Sequence, residues 1–93
     1  MDARITEKRK IIYEIAEKYK AHNVRVFGSQ VRGDEQPESD VDFLVEFEKP
    51  NLLDRIRMKQ ELEDELGMPV DLLTDQSLHP SLRDDILRES RPL

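Results

Sequence analysis

Residues 28–45 read GSQVRGDEQPESDVDFLV, and two patterns meet in them. Towards and just past the end of the stretch, Val41, Phe43, Val45 and Phe47 alternate with Asp40, Asp42, Leu44 and Glu46. That period of two places one set on each face of a β-strand. Just upstream, the apolar run Val24 to Phe27 stops at Gly28, which predicts a short strand ending on a glycine turn. Ser29 to Gly33 suits a single helical turn, which the polar loop Asp34 to Ser39, with Pro37 inside it, then breaks.

Moving outward, Ile5, Ile12, Ile15, Ala16 and Tyr19 share one helical face and predict a first helix from Ile5 to about His22. On the other side, Asn51 after Pro50 is a suitable cap for a helix running to Leu66, with Gly67 as its stop. Its apolar positions Leu52, Leu53, Ile56, Leu62 and Leu66 read as core, and they exceed what one narrow stripe requires, so that some are free to serve an interface. Met68 to Thr74 follows as a third strand, and Pro80 to Glu89 as a last helix packing through Leu82, Ile86 and Leu87. The order is helix, strand, turn, strand, helix, strand, helix.

A chain of 93 residues fits one domain, 1–93, and not two. With 15 Lys and Arg against 21 Asp and Glu, its net charge of −6 disfavours non-specific binding to polyanions, so no direct nucleic-acid contact is expected. The absence of cysteine removes disulfides, thiol nucleophiles and zinc-finger ligand sets, and is compatible with a reducing compartment. No stretch approaches the ~20 apolar residues that span a bilayer, which predicts a soluble, cytoplasmic protein without membrane contact. His22 and His79 lie outside any metal-ligand spacing and read as surface or capping residues.

Three acids stand out because each lies in or at the start of an apolar strand: Asp40, Asp42 and Asp71. Asp40 and Asp42 project to one side, about 6–7 Å apart. If Asp71 points the same way, three like charges converge, and each raises the pKa of the others unless a cation sits between them. All-oxygen ligation suits Mg²⁺, with phosphates and water completing its octahedron. A phosphate near that metal needs backbone N–H groups and a small hydroxyl, which Gly28 and Ser29 supply, with Arg32 one turn on as a charged donor or as an ion-pair partner of Asp34 or Glu35. Neither GxxxxGK[ST] nor GxGxxG is present, since the only glycines are Gly28, Gly33 and Gly67.

Gly28-Ser29, ten residues and then Asp40-Val41-Asp42 resembles the GSx10DxD signature of the DNA polymerase β-like nucleotidyltransferase superfamily, and the surrounding residues are similar to its minimal nucleotidyltransferase (MNT) branch. The likeness extends over the leading helix, Arg32-Gly33, Ser39-Asp40 and Val70-Asp71-Leu72, where that family carries its third acid. It implies an α+β (α/β) fold, with a small mixed sheet of about three to four strands and helices mainly on one face. It further implies that Asp40 and Asp42 bridge two Mg²⁺ ions and that Gly28 and Ser29 contact the β- and γ-phosphates of ATP. Asp71 would complete a metal site and accept a proton. Members of this branch are commonly antitoxins that add AMP to a tyrosine of a HEPN-domain ribonuclease toxin, which makes such a toxin the implied partner and hetero-oligomer. The alternative is a non-catalytic nucleotide-binding antitoxin that inhibits its partner by occlusion.

Overall fold

Asp2 starts the first helix by accepting the backbone N–H of Arg4 at 2.8 Å on its own carboxylate. In the computed structural model, which describes residues 1–36, 38–49 and 51–93, this helix is α1 (Ala3–Glu7). Pro37 and Pro50 lie outside the described residues. The single long helix expected from Ile5 is divided at Lys8, whose backbone leaves helical geometry and whose ammonium binds the Glu65 carbonyl at 2.7 Å. Beyond it runs α2 (Arg9–Lys18), with Ile5 and Ile12 both buried on either side of the break. The helix also ends sooner than its periodicity suggests. Lys20 adopts φ 56° and turns the chain into β1 (Ala21–Phe27), so that His22 belongs to a strand.

Next come α3 (Ser29–Arg32), β2 (Val41–Phe47) and α4 (Leu52–Leu66). Asn51 caps α4 as expected, its side-chain oxygen accepting from Leu53 N and Asp54 N, and Gly67 closes it with φ 66°. β3 (Val70–Thr74) leads through a 3₁₀ turn at Asp75–Ser77 to α5 (Pro80–Glu89), where His79 is the N-cap through Nδ1. A further short strand, β4 (Arg91–Pro92), was not foreseen. The four strands form a mixed sheet in the order β3-β2-β1-β4. β1 is antiparallel to both neighbours, while β2 and β3 are parallel, as a crossover through α4 requires.

The period-two reading of β2 holds on both faces. Val41, Phe43 and Val45 join Val26, Val70 and Leu72 under α1, α2 and α4, where Ile5, Ile12, Ile15, Met58, Leu62 and Leu66 complete the main core. Each such fully buried side chain contributes about 1.5–3 kcal/mol. Leu44, on the opposite face, forms a smaller cluster with Phe27 and Leu78, against which Leu73, Ile86 and Leu87 pack. Three of the four longer or leading helices thus cover one face and α5 partly covers the other.

Two packing expectations are corrected. Leu52, Leu53 and Ile56 are 71%, 53% and 55% exposed, because the line of α4 that meets the sheet runs through Arg55, Met58, Leu62 and Leu66. Arg55 spans the start of that line by donating from Nε to the Leu72 carbonyl at 3.0 Å. In α5, Leu82 is exposed and its expected place in the core is taken by Leu78, which precedes the helix. At the other end of the sheet edge, Leu93 is buried, with its N–H on the Val24 carbonyl and its own carbonyl accepting from Tyr13 Oη. Among the described residues no helix is long and apolar enough to cross a membrane.

Candidate active site

The pairing of β1 with β2 explains the spacing between the glycine turn and the acids. Phe27 lies opposite Asp42 in the antiparallel register, so Gly28 stands at the mouth of the sheet beside the Asp42 side chain. The residues between them are the connection, α3 and the polar loop. Gly28 adopts φ 77° and ψ −150°, a conformation open only to glycine. A Cβ built there would collide with Asp42 Oδ2. Backbone and carboxylate are in direct contact at this point, which is why no larger residue fits.

The parallel register pairs Asp42 with Asp71. Residues level with one another on adjacent parallel strands point to the same side, so the condition set by the sequence is met for these two. Asp40 is exposed and lies just before β2. The half-buried carboxyl of Asp42 has its pKa pushed up to about 6, first by burial and then by the charges of Asp71 and Asp40; Arg32 opposes the shift and Glu89 adds to it. The three acids do not converge into a preformed cage. Among the described residues no group of three or more acids or histidines is close enough to hold a metal ion as it stands. Their chemistry nonetheless fits one: the donor set is all oxygen, and Asp42, raised first by burial and then by the neighbouring carboxylates, is a group whose charged form a divalent cation would favour.

Around the turn, Gly28 and Ser29 carbonyls accept the N–H groups of Val31, Arg32, Gly33 and Asp34 and so hold α3 in place. Ser29 is partly exposed at its start. Arg32 pairs with Asp34, one of the partners considered from sequence, at 3.3 Å. Its shorter contact, from Nη1 to Glu89 Oε1 at 2.7 Å, comes from the end of α5 and was not anticipated. Glu89 also accepts the Gly28 N–H at 3.2 Å on Oε2. Gln30 was missed as well: it is 1% exposed, and its Oε1 accepts the Asp2 N–H at 2.8 Å, tying α3 to the leading segment. A polar residue inside a one-turn helix carries no periodicity that would mark it as buried.

A cavity of about 380 Å³ opens elsewhere, beside Val45, Glu46, Thr74, Asp75 and Arg83 at the other end of β2 and β3. It does not include the acids.

A family model described as a nucleotidyltransferase domain matches residues 8–93. A Methanocaldococcus jannaschii protein assigned as a protein adenylyltransferase is 49% identical over 84 residues, which are 89% of each chain. Protein adenylyltransferase MntA of Thermococcus cleftensis is 43% identical over 77 residues, covering 82% of this chain and 78% of that one. Among solved structures, a minimal nucleotidyltransferase superposes with a TM-score of 0.87 at 41% identity, over all of this chain and 97% of the other. A chain of a toxin-antitoxin complex with AMP-PNP shares the fold with a TM-score of 0.77, at 24% identity, over 91% of this chain and 70% of that one.

Proposed function

The chain belongs to the nucleotidyltransferase domain family, and we propose that within it residues 1–93 act as one minimal domain that transfers AMP from ATP to a hydroxyl of a partner protein. The acceptor is a tyrosine of a HEPN-domain ribonuclease toxin, and the transfer neutralises that toxin in the cytoplasm. The observation that carries the reading is the contact of Asp42 with Gly28, beside Asp71 in register, because it joins a cation-binding carboxylate to a phosphate-binding turn. The names of the jannaschii and Thermococcus relatives, both protein adenylyltransferases, support the transfer to a protein. The toxin-antitoxin complex with AMP-PNP supports the class of partner and of nucleotide.

Asp40, Asp42 and Asp71 would hold Mg²⁺, two ions in this reading. Bound there, a divalent ion would supply positive charge to the attacking and leaving oxygens. The Gly28 N–H and the Ser29 hydroxyl take the β- and γ-phosphates, and Arg32 adds a guanidinium donor. Asp71 accepts the proton of the attacking hydroxyl as the bond from that oxygen to the α-phosphorus forms. The bond from the α-phosphorus to the bridging oxygen breaks, and pyrophosphate leaves. In this reading the acceptor hydroxyl is brought to the acids by the partner protein.

The test is to incubate the purified chain with its HEPN toxin, Mg²⁺ and ATP and to weigh the toxin by mass spectrometry. Addition of one or more AMP units to a tyrosine, lost with Asp42→Ala, is the expected result. An unmodified toxin would overturn the reading. Full protection of cells by Asp42→Ala would instead support inhibition by occlusion.

A further inference from the structure

Glu89 closes α5, yet its carboxylate lies at the glycine turn rather than in solvent. Oε2 accepts the backbone N–H of Gly28 at 3.2 Å, and Oε1 accepts from Arg32 Nη1 at 2.7 Å, with the side chain about three-quarters covered. One anionic group thus takes a backbone amide and a guanidinium at once, the two kinds of donor by which proteins hold phosphate oxygens. The backbone carrying it is fixed. Arg91 Nη1 donates to the carbonyls of Arg88, Glu89 and Ser90, Ser90 Oγ donates to that of Leu87, and Arg91 pairs with Val26 in the sheet. The carboxylate can leave the turn by rotation of its own side chain without unwinding α5.

We propose that Glu89 is an internal occupant of the phosphate site, an autoinhibitory latch that the phosphates of the nucleotide displace. This rests on the reading that Gly28 and Arg32 hold those phosphates. With the latch closed, the Gly28 N–H and Arg32 Nη1 are taken by Glu89; with it open, both are free for the ligand, while Arg32 Nε stays on Asp34. A ligand that binds only the open form has its apparent affinity reduced by the open fraction, so a latch closed about nine-tenths of the time weakens binding about tenfold. The competing role for Glu89, holding Arg32 and Gly28 in position for the ligand, predicts the opposite sign.

The experiment measures binding of ATP with Mg²⁺, and separately of inorganic tripolyphosphate, by calorimetry to the wild type, Glu89→Gln and Glu89→Asp. Asp keeps the charge but is one methylene too short to span both donors, so the latch predicts about five- to tenfold tighter binding in both variants. Tightening in Glu89→Gln alone would assign the effect to net charge and overturn the latch, as would unchanged or weaker binding in both. The amide resonance of Gly28 in the ligand-free protein is a second readout: it moves in both variants if the contact exists, and an unmoved resonance overturns the proposal. If ATP binds no form while tripolyphosphate follows the expected order, the nucleotide reading falls and the latch stands. If ATP binds all three forms equally, the nucleotide reading stands and the latch falls. Binding of neither ligand to any form overturns both.

Discussion

Replacing Asp42 by Asn should stabilise the protein when no divalent cation is present, and only on the alkaline side of the Asp42 titration. The folded state holds this carboxyl at a pKa of about 6, against an ordinary value of 3.8 in the unfolded chain. Below about pH 4 the group is protonated in both states and contributes nothing. Between there and about pH 6 the unfolded chain gives up its proton first, so it binds fewer protons than the native state and stability falls as pH rises. Above that window the loss is complete and constant. The displacement corresponds to about 3 kcal/mol in full, and about 1–2 kcal/mol is expected because the group is only half-buried and is screened by solvent. In a domain of this length that raises Tm by about 5–10 °C. Urea unfolding followed by circular dichroism, with EDTA present and pH varied from 3.5 to 8, would show Asp42→Asn gaining over the wild type as pH rises and matching it at the acid end. Equal gains at every pH, or no gain at pH 7.5, would refute the view that burial and neighbouring carboxylates strain this site. If the proposed site binds Mg²⁺ through Asp42, saturating Mg²⁺ should reverse the order, since a ligand of the folded state stabilises it.

Gly28→Ala should destabilise the fold by about 1–3 kcal/mol for its backbone alone and abolish the rise in Tm with ATP that the proposed site predicts, since its methyl displaces Asp42. Gly67→Ala meets open space and serves as the control, costing about 1 kcal/mol with ATP binding intact. Leu62→Ala should cost about 2–5 kcal/mol in urea unfolding, against less than about 0.5 kcal/mol for Leu53→Ala on the exposed side of the same helix.

Local chemistry made much of this molecule legible. The alternation of Val41, Phe43 and Val45 announces β2, and Asn51 with Gly67 brackets α4, because caps and periodicity act within a few residues. Gly28 and Asp42 are joined by the same kind of short-range logic, a turn between neighbouring antiparallel strands. What stayed hidden depends on the rest of the fold. Lys20 takes positive φ without being glycine or Asn, so nothing in its identity announces the early end of α2, and Asn23, a residue that tolerates positive φ, is only a weak sign of the irregular register of β1. Leu52, Leu53 and Ile56 look like core until one knows where the sheet ends beneath α4. The level of Asp71 beside Asp42 is a matter of register, and the alternation of β3 fixes only which face Asp71 shares, leaving a slip of two residues open. Glu89 reaches Gly28 across 61 residues of chain, and no spacing rule spans that distance.

The two outermost strands have a bearing on how copies of this protein behave towards one another. An unpaired strand edge is a template for adding a foreign strand. On β3, the Val70 N–H is taken by Glu63 Oε2, the Leu72 carbonyl by Arg55, and both backbone groups of Thr74 by Ser77 Oγ. On the opposite side, β4 is two residues long and includes Pro92, which has no N–H to offer. Edges blunted in these places resist edge-to-edge pairing into aggregates. Loss of Glu63 or Arg55 would therefore lower the concentration at which the protein stays monodisperse, beyond the about 1 kcal/mol of folded stability that one hydrogen bond contributes.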